Sequence, residues 1–401
     1  MKILIICHGL PSPSDATSLR VLESLKYLSE KYKHDIMLLA FKQSRESPDL
    51  SKYCQVETID RLTMKDKIWA TVNMFSPKNI FSATPNLFNY SPKMQKQVTK
   101  LLAKHKFDVI AIDHFSMLYY TLELGVPQVL LEIMPASKIY QTYIHLERIL
   151  RNKMLFLLQY YALKKFEKKW NRLNIAIAVS ESQKKSILAY MPDINIVVIP
   201  HGIDTNYFRT VDMEHDFPTL LISGGMRRLL NVRDVLWFYN EIYPLIKEKM
   251  PQVKLYIVGR APAKEILRLS VDKSVVVTGY VKDLRPYFSH AWVVVAPLLN
   301  IFGVKIRVLQ AMAMGKPVVS TSMVTSGIDV SAGENIILAD DPREFAERVI
   351  ELLNNEELRN RIGANARKLM EEEYSWERLT DELNKVLEKA KTNYRKQHRY
   401  I

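Results

Sequence analysis

Several glycines in this chain stand where a short apolar run ends and basic residues begin, a pattern by which backbone N–H groups and cations hold phosphate. Gly303 follows the run VVVAP and, with Phe302 before it and Val304 after it, opens a helical stretch carrying Lys305 and Arg307. Amides and the positive end of a helix would there face a diphosphate without help from a metal. Gly224 and Gly225 follow TLLIS and lead at once to Arg227 and Arg228. A glycine pair lets backbone approach a phosphate closely, although it can equally do no more than shape a tight turn, and the sequence does not choose which arginine points inward. Gly259-Arg260 and Thr278-Gly279-Tyr280-Val281 close two further runs. At the other end of the chain, Gly9 and the Pro11 to Pro13 loop follow the first apolar run. His114 and Ser116 follow DVIAID, and His8 stands close to the first of these places. No Asp-x-Asp pair is available to fix a cation on a diphosphate, so no metal and no cofactor are expected.

Residues so placed need strands that end at one edge. The chain opens with KILIICHG, then a Pro-rich loop and a helical pattern from about Ala16 to Tyr32. Strands are expected at Asp35 to Phe41, Asp108 to Asp113, Gln128 to Ile133, Ile175 to Ser180 and Ile194 to Pro200. Their apolar residues are successive rather than alternating, as in parallel strands covered on both faces. The second half restarts with Thr219 to Gly225, a helix near Arg233 to Met250, and strands at Lys254 to Gly259, Ser274 to Gly279, Trp292 to Pro297 and Pro317 to Thr321. Alternation of this kind predicts right-handed crossovers and two doubly wound α/β sheets, with ligand crevices beyond the carboxyl ends of the strands. The polar stretch 201–217, ending before Pro218, reads as the joint and hinge.

A chain of 401 residues exceeds what one hydrophobic core organises, which also favours two domains. Cys7 and Cys54 are too few for a disulfide framework or a zinc site and read as buried or inert thiols. With no long uncharged apolar stretch, a cytoplasmic protein is expected. The formal charge is +14, and residues 1–200 hold 28 Lys and Arg against 17 Asp and Glu, while the remainder hold 29 against 26. The excess is N-terminal. It suits an acidic membrane surface, a phosphorylated acceptor or nucleic acid, and a Lys-rich thermophile-like surface would give the same count. Basic and aromatic residues mix between His145 and Leu173, which reads as a long amphipathic helix. It would either lie on an anionic inner membrane face or serve as scaffold with a Lys-rich outer side.

The strings IPHGID, LYIVG, VTGYVKDLRPYF, VVAPL, VLQAMAMGKPVVST and EEYSWERL, in that order between residues 199 and 380, resemble the nucleotide-binding half of the retaining family 4 glycosyltransferases of GT-B fold. The first half resembles them more weakly, through its opening strand and loop, Arg20, DVIAIDH and AIAVSES. The resemblance implies two Rossmann-like domains, 1–203 for the acceptor and 204–375 for a nucleoside diphosphate sugar. A C-terminal helix, 376–401, would cross back to the first. It implies transfer of a hexose-type sugar with retention to a sugar or lipid-linked acceptor. The basic cluster would hold the diphosphate, Tyr280 or Val281 would pack on the base, and His114 would lie near the transferred sugar. Many members place two glutamates eight residues apart, one on the donor sugar and one on the ribose. Here those positions are Phe302 and Gln310. Gln310 retains hydrogen-bonding capacity toward ribose and Phe302 cannot replace a carboxylate. Three other readings remain open: a sugar-nucleotide 2-epimerase, for which no cleft carboxylates are placed; a GT-B module that binds without turnover; and a nucleic-acid binder, for which no recognition motif is present.

Overall fold

The computed structural model describes residues 1–12, 16–42, 48–60, 90–134, 136–146, 149–211, 217–227, 229–299 and 306–397. These fall into two compact units, residues 1–199 with 380–401 and residues 200–379.

The first unit is built on seven parallel strands: β1 (Lys2–Cys7), β2 (Asp35–Phe41), β3 (Gln55–Ile59), β4 (Val109–Ile112), β5 (Gln128–Leu130), β6 (Ile175–Ala178) and β7 (Ile196–Val198). Their order is β3-β2-β1-β4-β5-β6-β7. Ile3 to Cys7 and Val109 to Ile112 are buried throughout, as central strands covered on both faces must be. The helices are α1 (Ala16–Glu30), α2 (Pro92–Lys104), α3 (Ala136–Leu146), α4 (Leu150–Glu167) and α5 (Glu181–Leu188). Ser91 and Ser180 cap α2 and α5 by accepting from Met94 and Gln183 N–H groups. The stretch read as one helix from His145 to Leu173 is α4 followed by a short 3-10 segment, Lys168–Arg172. Its outward side over the first three turns is apolar rather than Lys-rich.

The second unit holds six parallel strands, β8 (Thr219–Ser223), β9 (Lys254–Val258), β10 (Val275–Gly279), β11 (Val293–Ala296), β12 (Val318–Ser320) and β13 (Ile337–Leu338). They are ordered β10-β9-β8-β11-β12-β13. Around them lie α6 (Leu229–Trp237), α7 (Tyr243–Lys249), α8 (Lys264–Arg268), α9 (Arg285–His290), α10 (Ile306–Ala313), α11 (Pro342–Asn354) and α12 (Glu356–Glu373). A π-helical turn, Phe238–Ile242, joins α6 to α7 just before Pro244, whose missing N–H ends the ordinary bonding pattern. The two apolar layers are separate clusters, one around Phe238, Ile246 and Phe345 and one around Val308, Met312 and Met370.

The last helix, α13 (Trp376–Gln397), belongs to the first unit from Thr380 onward. Asp381 accepts from Lys31 at 2.8 Å and from the Tyr32 hydroxyl at 2.8 Å, and Asn384 meets His34 at 2.7 Å. Lys391 pairs with Asp108 at 3.2 Å. The polar joint lies inside the second unit, whose boundary falls earlier, at Ile199 and Pro200. Arg367 ties the early part of that polar segment to the unit. It donates to the carbonyls of Thr205, Phe208 and Ala313 and pairs with Glu371. Ile203 N–H donates to the Tyr374 carbonyl at 2.8 Å.

Replacing Arg367 by Ala strands three carbonyls at once. The expected outcome is a loss of about 2–3 kcal/mol in the unfolding free energy. Urea denaturation of the variant measures it, and Arg367→Lys should recover only part, because an ammonium cannot fork between carbonyls.

Candidate active site

In both sheets the strand order reverses once, between β1 and β4 and between β8 and β11. In an open parallel sheet such a reversal sends the flanking crossovers to opposite faces and leaves a crevice at the carboxyl ends. Of the sequence-predicted residues that the structure describes, Gly9 and His114 stand at the first of these places and Gly224, Gly225, Arg227, Gly259 and Arg307 at or beside the second.

In the first unit, Asp113 ends β4 and accepts from the His8 N–H through both oxygens, at 3.0 and 3.1 Å. That clamp fixes the chain leaving β1, and Gly9 is buried directly after it. His114 caps the 3-10 turn Phe115–Tyr120: its Nδ1 accepts from the Ser116 backbone N–H and lies 2.8 Å from Ser116 Oγ. The His8 ring is exposed, with its centroid 5.3 Å from that of His114 and its Nδ1 3.5 Å from Ser116 Oγ. Because a backbone N–H can only donate, Nδ1 of His114 carries the lone pair and Nε2 carries the proton. Burial, with a smaller repulsion from His8, pushes the His114 pKa down to about 4. A neutral imidazole offering Nε2–H as a donor follows.

Glu132, just past β5, is buried and accepts from the Thr17 hydroxyl at 3.1 Å. Its charge opposes the loss of protons from the buried Arg20, which desolvation lowers to about 10. Arg20 donates to the carbonyls of Leu131 and Ile199. Sequence reasoning passed over Glu132 and Thr17. The available signal was a carboxylate inside the otherwise apolar run VLLEI, since buried charges are rare unless partnered. Cys7 and Cys54 are free thiols, both held un-ionised by burial, Cys54 at about 11.

In the second unit, the ends of β8 and β9 nearly touch. A β-carbon built on Gly259 would stand 1.6 Å from the Gly224 carbonyl oxygen, so no side chain fits there. Gly224 itself has φ +144, a value that favours glycine, and Arg307 packs beneath it. The Arg307 guanidinium donates to the Ser223 carbonyl at 3.3 Å and to Asn231 Oδ1 at 2.9 Å. Asn231 in turn donates to the Gly225 carbonyl at 2.7 Å, and Met226 N–H donates to the Arg260 carbonyl at 3.2 Å. Arg307 is thus a brace for the glycine loop. Arg227 and Arg260 are exposed around it, and open space surrounds Gly225. Gly279 needs its φ of +72, Tyr280 stands 75% exposed beyond it, and Val281 packs against the inner apolar layer. Gln310 lies on α10 one turn from Arg307, half-exposed. Arg228, Phe302, Gly303, Val304 and Lys305 lie outside the described residues. Among the described residues no three His, Cys, Asp or Glu side chains gather around one point.

Comparison with known proteins matches residues 20–207 to the model described as Glycosyltransferase Family 4 and residues 217–355 to that described as Glycosyl transferases group 1. A capsular polysaccharide biosynthesis glycosyltransferase, CapM of Staphylococcus aureus, is 30% identical over 242 residues, 53% of this chain and 62% of that protein. The first three curated relatives are matched over only 42%, 23% and 62% of their own lengths. Among solved structures, sucrose-phosphate synthase from Thermosynechococcus elongatus superposes with a TM-score of 0.68 at 16% identity, covering 96% of this chain and 98% of that one. Anabaena HepE in complex with UDP and glucose gives 0.63 at 15%, covering 97% and 99%. At these identities the structural likeness speaks for the fold.

The imidazole assignment is testable by nitrogen-15 NMR across a pH series. His114 should show the Nε2–H tautomer and remain neutral until the pH falls toward 4. Its folded pKa lies below the ordinary 6.5, so the stability tied to the neutral ring is complete above about 6.5 and lost as pH falls from there. A ring that titrates near 6.5 would contradict the desolvated cap.

Proposed function

Since the chain belongs to the group 1 glycosyltransferases of GT-B fold, we propose that it moves a hexose-type sugar from a nucleoside diphosphate sugar to a glycan or lipid-linked acceptor, with retention of configuration. The observation that carries the donor half of this reading is the glycine loop at the strand reversal of the second unit. There backbone comes within van der Waals distance of backbone, and among the described residues a β-carbon on Gly225 would meet nothing within 4 Å, which suits close approach of a phosphate. Arg307 holds that loop from below, which leaves Arg227, Arg228 and Lys305 to meet the diphosphate. As the glycosidic bond breaks, negative charge collects on the leaving β-phosphate, and fixed cations lower the energy of that state more than of the ground state.

The acceptor hydroxyl would lose its proton to the leaving phosphate on the same face of the sugar, which gives retention without a protein nucleophile. His114 fits a supporting part, since neutral Nε2–H donates to a sugar oxygen without adding a cation beside the forming positive charge on the ring. The UDP held by HepE and the capsular role in the name of CapM favour UDP as the nucleotide and a surface polysaccharide as the product. Tyr280, exposed just past a strand end, would stack on the base. No metal is required in this scheme, because cations of the chain occupy that role.

Calorimetric titration with UDP, GDP and ADP should rank UDP tightest, unchanged in EDTA. Lys305→Ala should weaken UDP by about 1.5–3 kcal/mol. Incubation with labelled nucleotide sugars then reads transfer. Binding that vanishes in chelator would refute the metal-free site. Tight binding with no transfer to any glycan would favour the non-catalytic module to which the Phe302 and Gln310 positions point.

A further inference from the structure

Helices α3 and α4 are joined by an aromatic contact in which Tyr140 and Tyr143 pack on Phe156, with centroids 6.0 and 5.6 Å apart. At about 100° per residue, the inward face of α4 carries Gln159, Leu163 and Phe166, all buried. The opposite face carries Leu150, Met154, Leu157 and Tyr161, at i, i+4, i+7 and i+11, within roughly 60° of one another. They are 72%, 60%, 42% and 61% exposed. Leu158 borders the strip, and with Ile149, Leu155 and Tyr143 eight of the sixteen exposed large apolar side chains among the described residues fall between 143 and 161. Single exposed leucines are ordinary, but a contiguous strip marks an interaction surface.

Charge says what kind of surface it meets. Together, α3 and α4 hold one carboxylate, Glu167, and it is buried: it accepts from Ser137 N–H at 2.9 Å, Ser137 Oγ–H at 2.5 Å and the Tyr190 hydroxyl at 3.0 Å. The strip is flanked by exposed Arg151 and Lys153 and continued, on the same side, by Lys164, Lys165 and Lys168. Residues 136–172 hold nine Lys and Arg against Glu147 and the buried Glu167, and an apolar strip in so cationic a stretch would repel a second copy of itself, since each twofold-related face would set mostly cation against cation. It complements an anionic lipid surface, where apolar side chains enter the acyl boundary and long basic side chains reach back to phosphates. We propose that this face of α3 and α4 lies in the interface of an anionic bilayer, with Leu150, Met154, Leu157 and Tyr161 inserted. No described helix is long and apolar enough to cross a membrane. The bonds to Glu167 fix α4 against the body of the unit, so the strip is presented as a rigid edge. This inference does not rest on the glycosyl-transfer reading.

Co-sedimentation of the full chain with phosphatidylcholine vesicles, with and without phosphatidylglycerol, is the test. The wild type should bind the anionic vesicles strongly at low salt and the neutral ones weakly. The variant L150Q/M154Q/L157Q/Y161Q should lose roughly tenfold or more, and K164Q/K165Q/K168Q about fivefold per cation removed. Thermal midpoint and nucleotide affinity should match wild type in both variants, which separates lost docking from lost folding and from any failure of the donor site. The proposal is overturned if wild type ignores anionic vesicles, if the glutamine variant still binds them fully, or if wild type is a dimer that this variant dissociates.

Discussion

A parallel strand bonded to neighbours on both sides and covered on both faces can meet solvent only at its ends. Everything chemical in this molecule follows from that restriction. Because all the strands of a sheet run one way, their carboxyl ends lie along one edge, and the two places where the strand order turns are the places where the loops part. His8, Asp113 and His114 stand at one, and Gly224, Gly259 and Arg307 at the other. The apolar interior and the polar rim are therefore one design: burial of Ile3 to Cys7 and of Leu220 to Ile222 is what aims the residues that follow them.

The central strands were legible because burial on both faces writes itself as an unbroken apolar run, and Met1-Lys2-Ile-Leu-Ile-Ile needs no context. Strands β3 and β13 escaped notice for the converse reason. At the sheet edge, Gln55, Val56 and Glu57 need not be apolar, and two residues at Ile337 and Leu338 carry no period at all. Helix α4 was legible as a helix, but its two faces are both apolar. Periodicity cannot then say which one is covered, so both readings of this helix stayed open in the sequence.

Within the site, sequence could mark glycines after strands but not what each glycine is for. Gly259 is required by an oxygen that arrives from Gly224, thirty-five residues earlier, and Gly225 by nothing nearby. Arg307 shared a reading with its basic neighbours, yet it turns down to Ser223 and Asn231, a distinction that depends on a contact across 84 residues. The protonation of His114 was equally out of reach, since it is decided by a single backbone N–H two residues on.

The division of the chain carries one more consequence. The second unit is a single stretch, 200–379, inserted into a first unit made of two pieces, 1–199 and 380–401. During synthesis the inserted unit has its whole sequence available while the enclosing one still lacks Leu383, Val386, Leu387 and Ala390, all buried in its completed form. Until then the contacts of Asp108, Lys31 and His34 with α13 cannot form, because those partners follow the whole of the second unit. The unit that holds β1 is the one that finishes folding second, and loss of the last turns of α13 is felt beside β1 and β2.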